Sequence, residues 1–300
     1  MATEYSRYCR IVTIALTALT FGLSSTTIAA PVVISGSGDI TGAVNQCRTA
    51  LGDPNNGNTA GPLASGRREI NWDGGGANDT TTAPVTPFDV FLNTRGGRFT
   101  TPGTGLSQAP PSGGLQGGLA GLFNNLTYGT TFSTFSPLRL FTPVGSNITD
   151  ALFFLPGSNG TVPATVTGFG AVFSDIDVPN SASIQFFAGG ASLGTFFAPV
   201  RTDSAGLSFL CVTFNAFERA SRVQVTSGQG ALGAGVNDIS DGGTTDLVVM
   251  DDFLYSEPKN LPAGAAVIPT LSEWGVILLS LLLVGGLATA LRRRGRRLAS

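Results

Sequence analysis

The sequence predicts an all-β protein: a jelly-roll-like β-sandwich, flanked by an amino-terminal signal peptide and a carboxy-terminal transmembrane helix. Three observations predict it. Apolar runs of about 6–10 residues recur through the second half, and each stops at Gly, Pro, Asn or Asp, the punctuation of strands joined by turns. Glycine is abundant, at 41 of 300 residues, which disfavours helices. Each end carries an uncharged apolar stretch beside arginines, and targeting segments of this kind stand apart from the fold. The resulting division is a signal peptide over 1–29, an extracytoplasmic β-sandwich domain over 30–260, a linker over 261–267 and a tail over 268–300.

The start reads MATEYSRYCRIVTIALTALTFGLSSTTIAAP, with Arg7 and Arg10 ahead of an apolar run from Ile11 to Leu23. Thr27-Ile28-Ala29 then offers a small residue at −1. Signal peptidase and the secretion machinery are therefore the expected partners, with cleavage after Ala29. The alternative, a retained anchor, has an apolar run too short for comfortable spanning.

Within the body, residues 39–137 are the less regular part. Strands are expected near Glu69–Trp72, Phe88–Leu92 and Arg98–Thr101, separated by long Gly/Pro-rich loops. From Leu138 the strand signals sharpen: LRLFTPV, TDALFFLPG, VTGFGAVFSDI, ASIQFFAGG, SLGTFFAPV, LSFLCVTFN, SRVQVTSG and DLVVMDDFLY follow one another. Alternation puts Phe169, Ala171 and Phe173 on one face, and Val223 and Val225 on another. Ala188-Gly189-Gly190-Ala191 reads as a hairpin loop. Most of the 20 phenylalanines lie in these runs, where core packing is their expected role.

Composition narrows the chemistry. Only 12% of residues are charged, against about a quarter in ordinary domains. Between Ala30 and Ile268 there are ten basic and seventeen acidic side chains, a net charge of −7. A nucleic-acid partner needs a basic face, and none is present. The chain has no histidine, which removes the commonest general base and metal ligand. Any metal site must then use oxygen, which favours calcium over zinc. Cys9 lies in the signal region, leaving Cys47 and Cys211. In an oxidising compartment these two can bridge or remain separate thiols, and spacing does not choose.

Acidic and amide residues cluster at Asn71, Asp73, Asn78 and Asp79; at Asp175 and Asp177; and at Asp238, Asp241, Asp246, Asp251 and Asp252. Asn71, Asp73, Asp251 and Asp252 are the calcium candidates; turn-forming Asx residues produce the same pattern. The stretch DISDGGTTDLVVM is similar to a single copy of a calcium-binding β-roll repeat. Asp251 and Asp252 are adjacent on an expected strand, so their side chains should point to opposite faces and form no acid/base pair. With no histidine, no G-x-S-x-G elbow and no phosphate loop, no enzymatic activity is expected. Trp72 could stack on a sugar ring or fill the core.

The end reads VIPTLSEWGVILLSLLLVGGLATALRRRGRRLAS. Gly275 to Leu291 is 17 residues without a charge, the lower limit for a spanning helix. Trp274 suits the membrane interface. Arg292, Arg293, Arg294, Arg296 and Arg297 hold the tail in the cytoplasm, so the body faces outward. Ile268, Pro269, Thr270 and Leu271, then Trp274 and Gly275, followed by an apolar helix and an arginine cluster, resemble the IPTL-CTERM sorting signal of bacterial surface proteins. The resemblance implies an exosortase-type membrane transpeptidase that reads the motif, cuts near it and moves the chain from an inner-membrane intermediate to the cell surface.

The body, through GFGAVFSDID, LSFLCVTFN and VVMDDFLY, resembles an uncharacterised exported β-sandwich domain that implies no activity. The expected function is a non-enzymatic surface protein, structural or adhesive in the extracellular matrix. The alternative is an extracellular carbohydrate-binding module, with or without calcium, and the third reading is a glycoside hydrolase-like enzyme.

Overall fold

The computed structural model describes residues 30–74, 84–114, 116–203, 205–215 and 218–260. The signal segment and the tail from 261 lie outside the described residues, and so do Asn78 and Asp79. In chain order the first elements are β1 (Val32–Ser37), α1 (Thr41–Leu51), β2 (Arg67–Ile70), α2 (Leu92–Arg95), β3 (Gly97–Thr100) and β4 (Gly105–Ala109). Then come α3 (Gly118–Leu122), α4 (Tyr128–Thr131), β5 (Leu140–Val144), β6 (Ile148–Phe153), β7 (Gly168–Ser174) and β8 (Ser183–Ala188). The series ends with β9 (Ala191–Phe197), β10 (Leu207–Thr213), β11 (Arg222–Thr226), a 3-10 turn (Ile239–Asp241) and β12 (Val249–Ser256).

Two antiparallel sheets result. The first runs β1-β10-β7-β12-β5-β4, with β2 also beside β12; the second runs β3-β6-β11-β8-β9. Their inner faces share one core. Phe169, Ala171 and Phe173 of β7 meet Ile184 and Phe186 of β8 and Val223 and Val225 of β11 within it. The period-two pattern of these strands therefore does what it predicts. At one end Trp72 anchors the core, stacked 3.7 Å from Phe141 and edge-on to Phe99 and Phe253.

The outer faces differ. The first sheet is covered on both sides, which is why every residue of β7 and β12 is buried. Helix α1 lays Val44, Cys47 and Leu51 on Val172, Phe209 and Leu254, and Cys47 joins Cys211 of β10 in a disulfide. Leu119, Phe123, Tyr128 and Phe132 cover Leu140, Leu247 and Val249 on the same side. The second sheet has an alternating pattern instead: β6 and β11 bury every second residue and leave the others partly exposed. That face is open to solvent.

Three local expectations change. Phe88–Leu92 is not a strand: Phe88 bridges to Phe99, Leu92 N–H then bonds to Asp89 O at 3.0 Å, and α2 begins. The turn also sets the Asp89 carboxylate 2.7 Å from Arg98. Helix α1 had no counterpart in the strand reading. Asp251 and Asp252 do not point to opposite faces along a regular strand. Met250 pairs with Phe173 but Phe253 pairs with Ala171, so two residues oppose one and form a bulge. On its other side β12 pairs with β5 at Met250 and with β2 from Phe253.

Candidate functional site

The open face of the second sheet is built by register. One row runs Arg98, Leu152, Arg222, Phe187 and Ser192; the next runs Thr100, Asp150, Gln224, Gln185 and Thr195. A third places Ile148, Thr226, Ser183 and Phe197 side by side. Two residues along a strand advance roughly 7 Å, so the three rows span about 14 Å. Phe187 and Phe197 thus flank a polar middle row.

Its side chains are ordered by one another. Arg222 donates to Asp150 Oδ1 at 2.6 Å and lies 3.7 Å over the Phe187 ring. Gln224 donates to the same Asp150 oxygen at 3.2 Å, and Gln185 donates to Ser192 Oγ at 3.3 Å. Phe197 is 49% exposed. Guanidinium, amide, carboxylate and ring groups on one sheet face offer hydrogen bonds and stacking to a polyhydroxylated ligand. The polar members of this face were missed in the sequence; the signal was the alternation Arg-Val-Gln-Val-Thr in β11, whose polar half must face water.

A polar cleft of about 370 Å³ lies elsewhere, lined in part by Arg48, Glu69, Asn71, Arg95, Ser136 and Asp252. Glu69 accepts from Arg48 at 2.9 Å and Arg67 at 2.6 Å. The β12 bulge brings Asp251 and Asp252 to one hydroxyl: Ser136 Oγ is 3.3 Å from Asp251 Oδ1 and 2.7 Å from Asp252 Oδ1. Asp73 Oδ2 and the Asn71 carbonyl are 3.2 and 3.3 Å from the same oxygen. The four calcium candidates therefore converge on Ser136.

Most of their oxygens are engaged. Asp251 Oδ2 accepts the backbone N–H groups of Phe135 and Ser136 at 2.6 and 3.2 Å. Asp73 Oδ1 accepts those of Leu138 and Arg139 at 2.5 and 2.9 Å. Burial pushes the Asp251 carboxyl well above the ordinary carboxylate range, and the neighbouring Asp252 charge adds to the shift. Burial raises Asp252 as well, opposed by the Ser136 hydroxyl. The arrangement ties Phe135 and Ser136 to β12 and Leu138 and Arg139 to Asp73, just beyond β2. Trp72 is fully buried and donates its indole N–H to Asp251 O at 3.0 Å, so its ring faces the core and not a ligand.

Among the described residues, no helix is long and apolar enough to cross a membrane; the expected spanning helix at 275–291, the motif Ile268–Gly275, the arginines 292–297 and Ala29 all lie outside them. No curated protein and no solved structure matches the chain. Residues 266–294 match the family model of the IPTL-CTERM motif, and the chain thus carries at its carboxy end the sorting motif of exported, surface-sorted proteins.

Proposed function

We propose that this is a non-enzymatic adhesive protein of the cell surface, which binds extracellular polysaccharide through the open face of its second sheet. One observation carries the reading: among the described residues, the second sheet alone leaves an alternating polar and aromatic face uncovered, and Arg222, Gln224, Gln185 and Asp150 are already ordered on it. Preordered side chains lose less entropy when a ligand arrives.

We infer further that the body is a jelly roll. Its last eight strands fall in the orders β5-β12-β7-β10 and β6-β11-β8-β9, which is the order that fold requires. The engaged oxygens of Asp73 and Asp251 support an architectural role for the cleft over a hydrolytic one. The motif supports processing by an exosortase-type transpeptidase after signal peptidase has acted.

The test is retention of the full-length, detergent-solubilised protein in gels containing acidic and neutral polysaccharides. Arg222→Ala with Gln224→Ala should weaken retention roughly tenfold or more, the loss of one or two hydrogen bonds to a bound ligand. Asp252→Asn should leave it intact. Retention that ignores the sheet variants, or new reducing ends released from the polysaccharide, would overturn the reading.

A further inference from the structure

Independently of the glycan-binding face, a second acidic group occupies the end of the sandwich where β7 and β12 meet. Asp175 follows the last residue of β7, Asp177 lies two residues on, and Asp238 opens the 3-10 turn before β12. These residues come from two sequence clusters separated by some sixty positions. In space, one carboxylate oxygen from each lies within 4.8 Å of the other two.

We propose that Asp175, Asp177 and Asp238 form a calcium site that clamps the β7–β8 loop to the 3-10 turn. Three facts support it. First, the spacing is right: calcium holds its oxygens at about 2.3–2.6 Å, so ligands on opposite sides stand about 4.6–5.2 Å apart and adjacent ones closer. Second, three of the carboxylate oxygens are not satisfied by protein. Asp175 is fully buried and its Oδ2 has no hydrogen-bond partner; both oxygens of Asp177 are buried and equally without one. Buried polar atoms almost always find partners, so these three oxygens aim at something not made of protein.

Third, charge is uncompensated. Asp246, also fully buried, lies close by and accepts the N–H groups of Asp177 and Val178 at 3.2 and 2.9 Å. Among the described residues, no arginine or lysine forms an ion pair with any of these four carboxylates. Like charges gathered out of water must either bind protons or hold a cation. Burial, then the Asp238 and Asp177 charges, push Asp175 up to about 8. A divalent cation removes that penalty.

The other contacts fit a supporting shell. Asp238 Oδ2 accepts Ser240 N–H at 2.6 Å and its Oδ1 accepts Leu247 N–H at 2.7 Å. Asp175 Oδ1 accepts Ala205 N–H at 3.2 Å. These bonds orient the carboxylates. They leave Asp175 Oδ2 and both Asp177 oxygens to the ion, Asp238 joins through the second lone pair of an oxygen that already accepts one N–H, and water completes the coordination. Zinc is a poor fit, since the chain has no histidine and Cys47 and Cys211 are bonded to each other.

The test uses the full-length chain in detergent, stripped with EGTA. Calcium chloride at a hundredfold excess over its Kd should raise Tm by on the order of 5–10 °C, and calorimetric titration should give one site. Magnesium chloride at the same concentration should shift Tm far less. Asp175→Asn with Asp177→Asn should melt no lower than the stripped wild type, because it removes repulsion, and should lose the calcium response. Asp177→Asn alone, the milder variant, should weaken calcium binding at least tenfold. Asp73→Asn should keep the response. Coincident melting curves with and without calcium in the wild type would overturn the proposal; so would a response that survives in the double variant, since the ion would then bind elsewhere. Neither result bears on polysaccharide retention, which depends on the other sheet.

Discussion

At the scale of single residues, the most consequential polar contact joins Arg68 of β2 to Glu257 just beyond β12. Both side chains are out of solvent, and the pair is bidentate, at 2.6 Å through Nε and 2.7 Å through Nη2. Arg68 Nη1 also donates to the carbonyls of Gly57 and Thr59, both at 2.8 Å, while Glu257 accepts Asn56 Nδ2 at 2.8 Å and Leu63 N–H at 3.1 Å. One ion pair thus fastens the irregular 56–63 loop to the sheet. Arg68→Met should destabilise the protein by roughly 3–5 kcal/mol in denaturant unfolding, because it strands a buried carboxylate. Arg68→Met with Glu257→Leu should recover only part of that, since the loop carbonyls stay unpaired at about 1–3 kcal/mol; full recovery would show that the loop contacts contribute nothing. No sequence pattern announced this pair, because Arg68 and Glu257 are 189 positions apart. The same holds for Asp251 and Asp252. Strict alternation sends them to opposite faces, and only the bulge, a property of pairing with β7, brings both to Ser136.

At the scale of elements, the strands from β5 to β12 were legible because each is a short apolar run closed by turn residues, with clean period-two alternation added in β6 and β11. Helix α1 was overlooked although its signal was present: Val44, Cys47 and Leu51 fall at helical spacing, and they are its buried residues. What hid it was length, since eleven residues between glycine-rich stretches look like one more loop. The sheet beneath is shaped to receive it. A Cβ on Gly170 of β7 would lie 2.9 Å from Cys211 Cβ and 3.1 Å from Cys47 Sγ, so the helix and its disulfide approach the sheet only because that side chain is missing. The bridge closes a segment of 164 residues, and Cys47→Ala with Cys211→Ala should cost about 2–5 kcal/mol. Gly170→Val should cost about 1–3 kcal/mol by overpacking. That cost should shrink when both cysteines are alanine, because the Cys47 sulfur is gone. A double-mutant cycle measures the coupling, and additive effects would mean the helix does not rest where β7 carries glycine.

At the scale of the whole molecule, the body and the tail divide the work. The body ends its strands at Ser256 and ties Lys259 to Thr165 through backbone hydrogen bonds at 2.8 and 3.0 Å. Seven residues, 261–267, then separate it from the motif. Fully extended, a segment of that length reaches about 25 Å, enough for the proposed transpeptidase to meet the motif clear of the sandwich. A lasting anchor needs no fixed sequence outside the bilayer, whereas a substrate of a membrane transpeptidase does. Under the proposed processing, the role of Pro269 is to disfavour helix at the motif, that of Trp274 to mark the membrane interface, and that of the five arginines to fix the orientation of the tail until the cut. Pro269→Ala with Trp274→Ala should therefore leave export intact and accumulate uncut precursor in the membrane fraction of the native host. Removing Arg292, Arg293, Arg294, Arg296 and Arg297 should instead disturb orientation or retention before any cut is made. The deciding measurement is the mass of the carboxy-terminal peptide of protein released from the cell surface. A terminus near the motif supports processing. Surface protein that still ends in Arg292 to Ser300 would reduce the tail to a simple anchor, and the sandwich would then act tethered to the membrane that exported it.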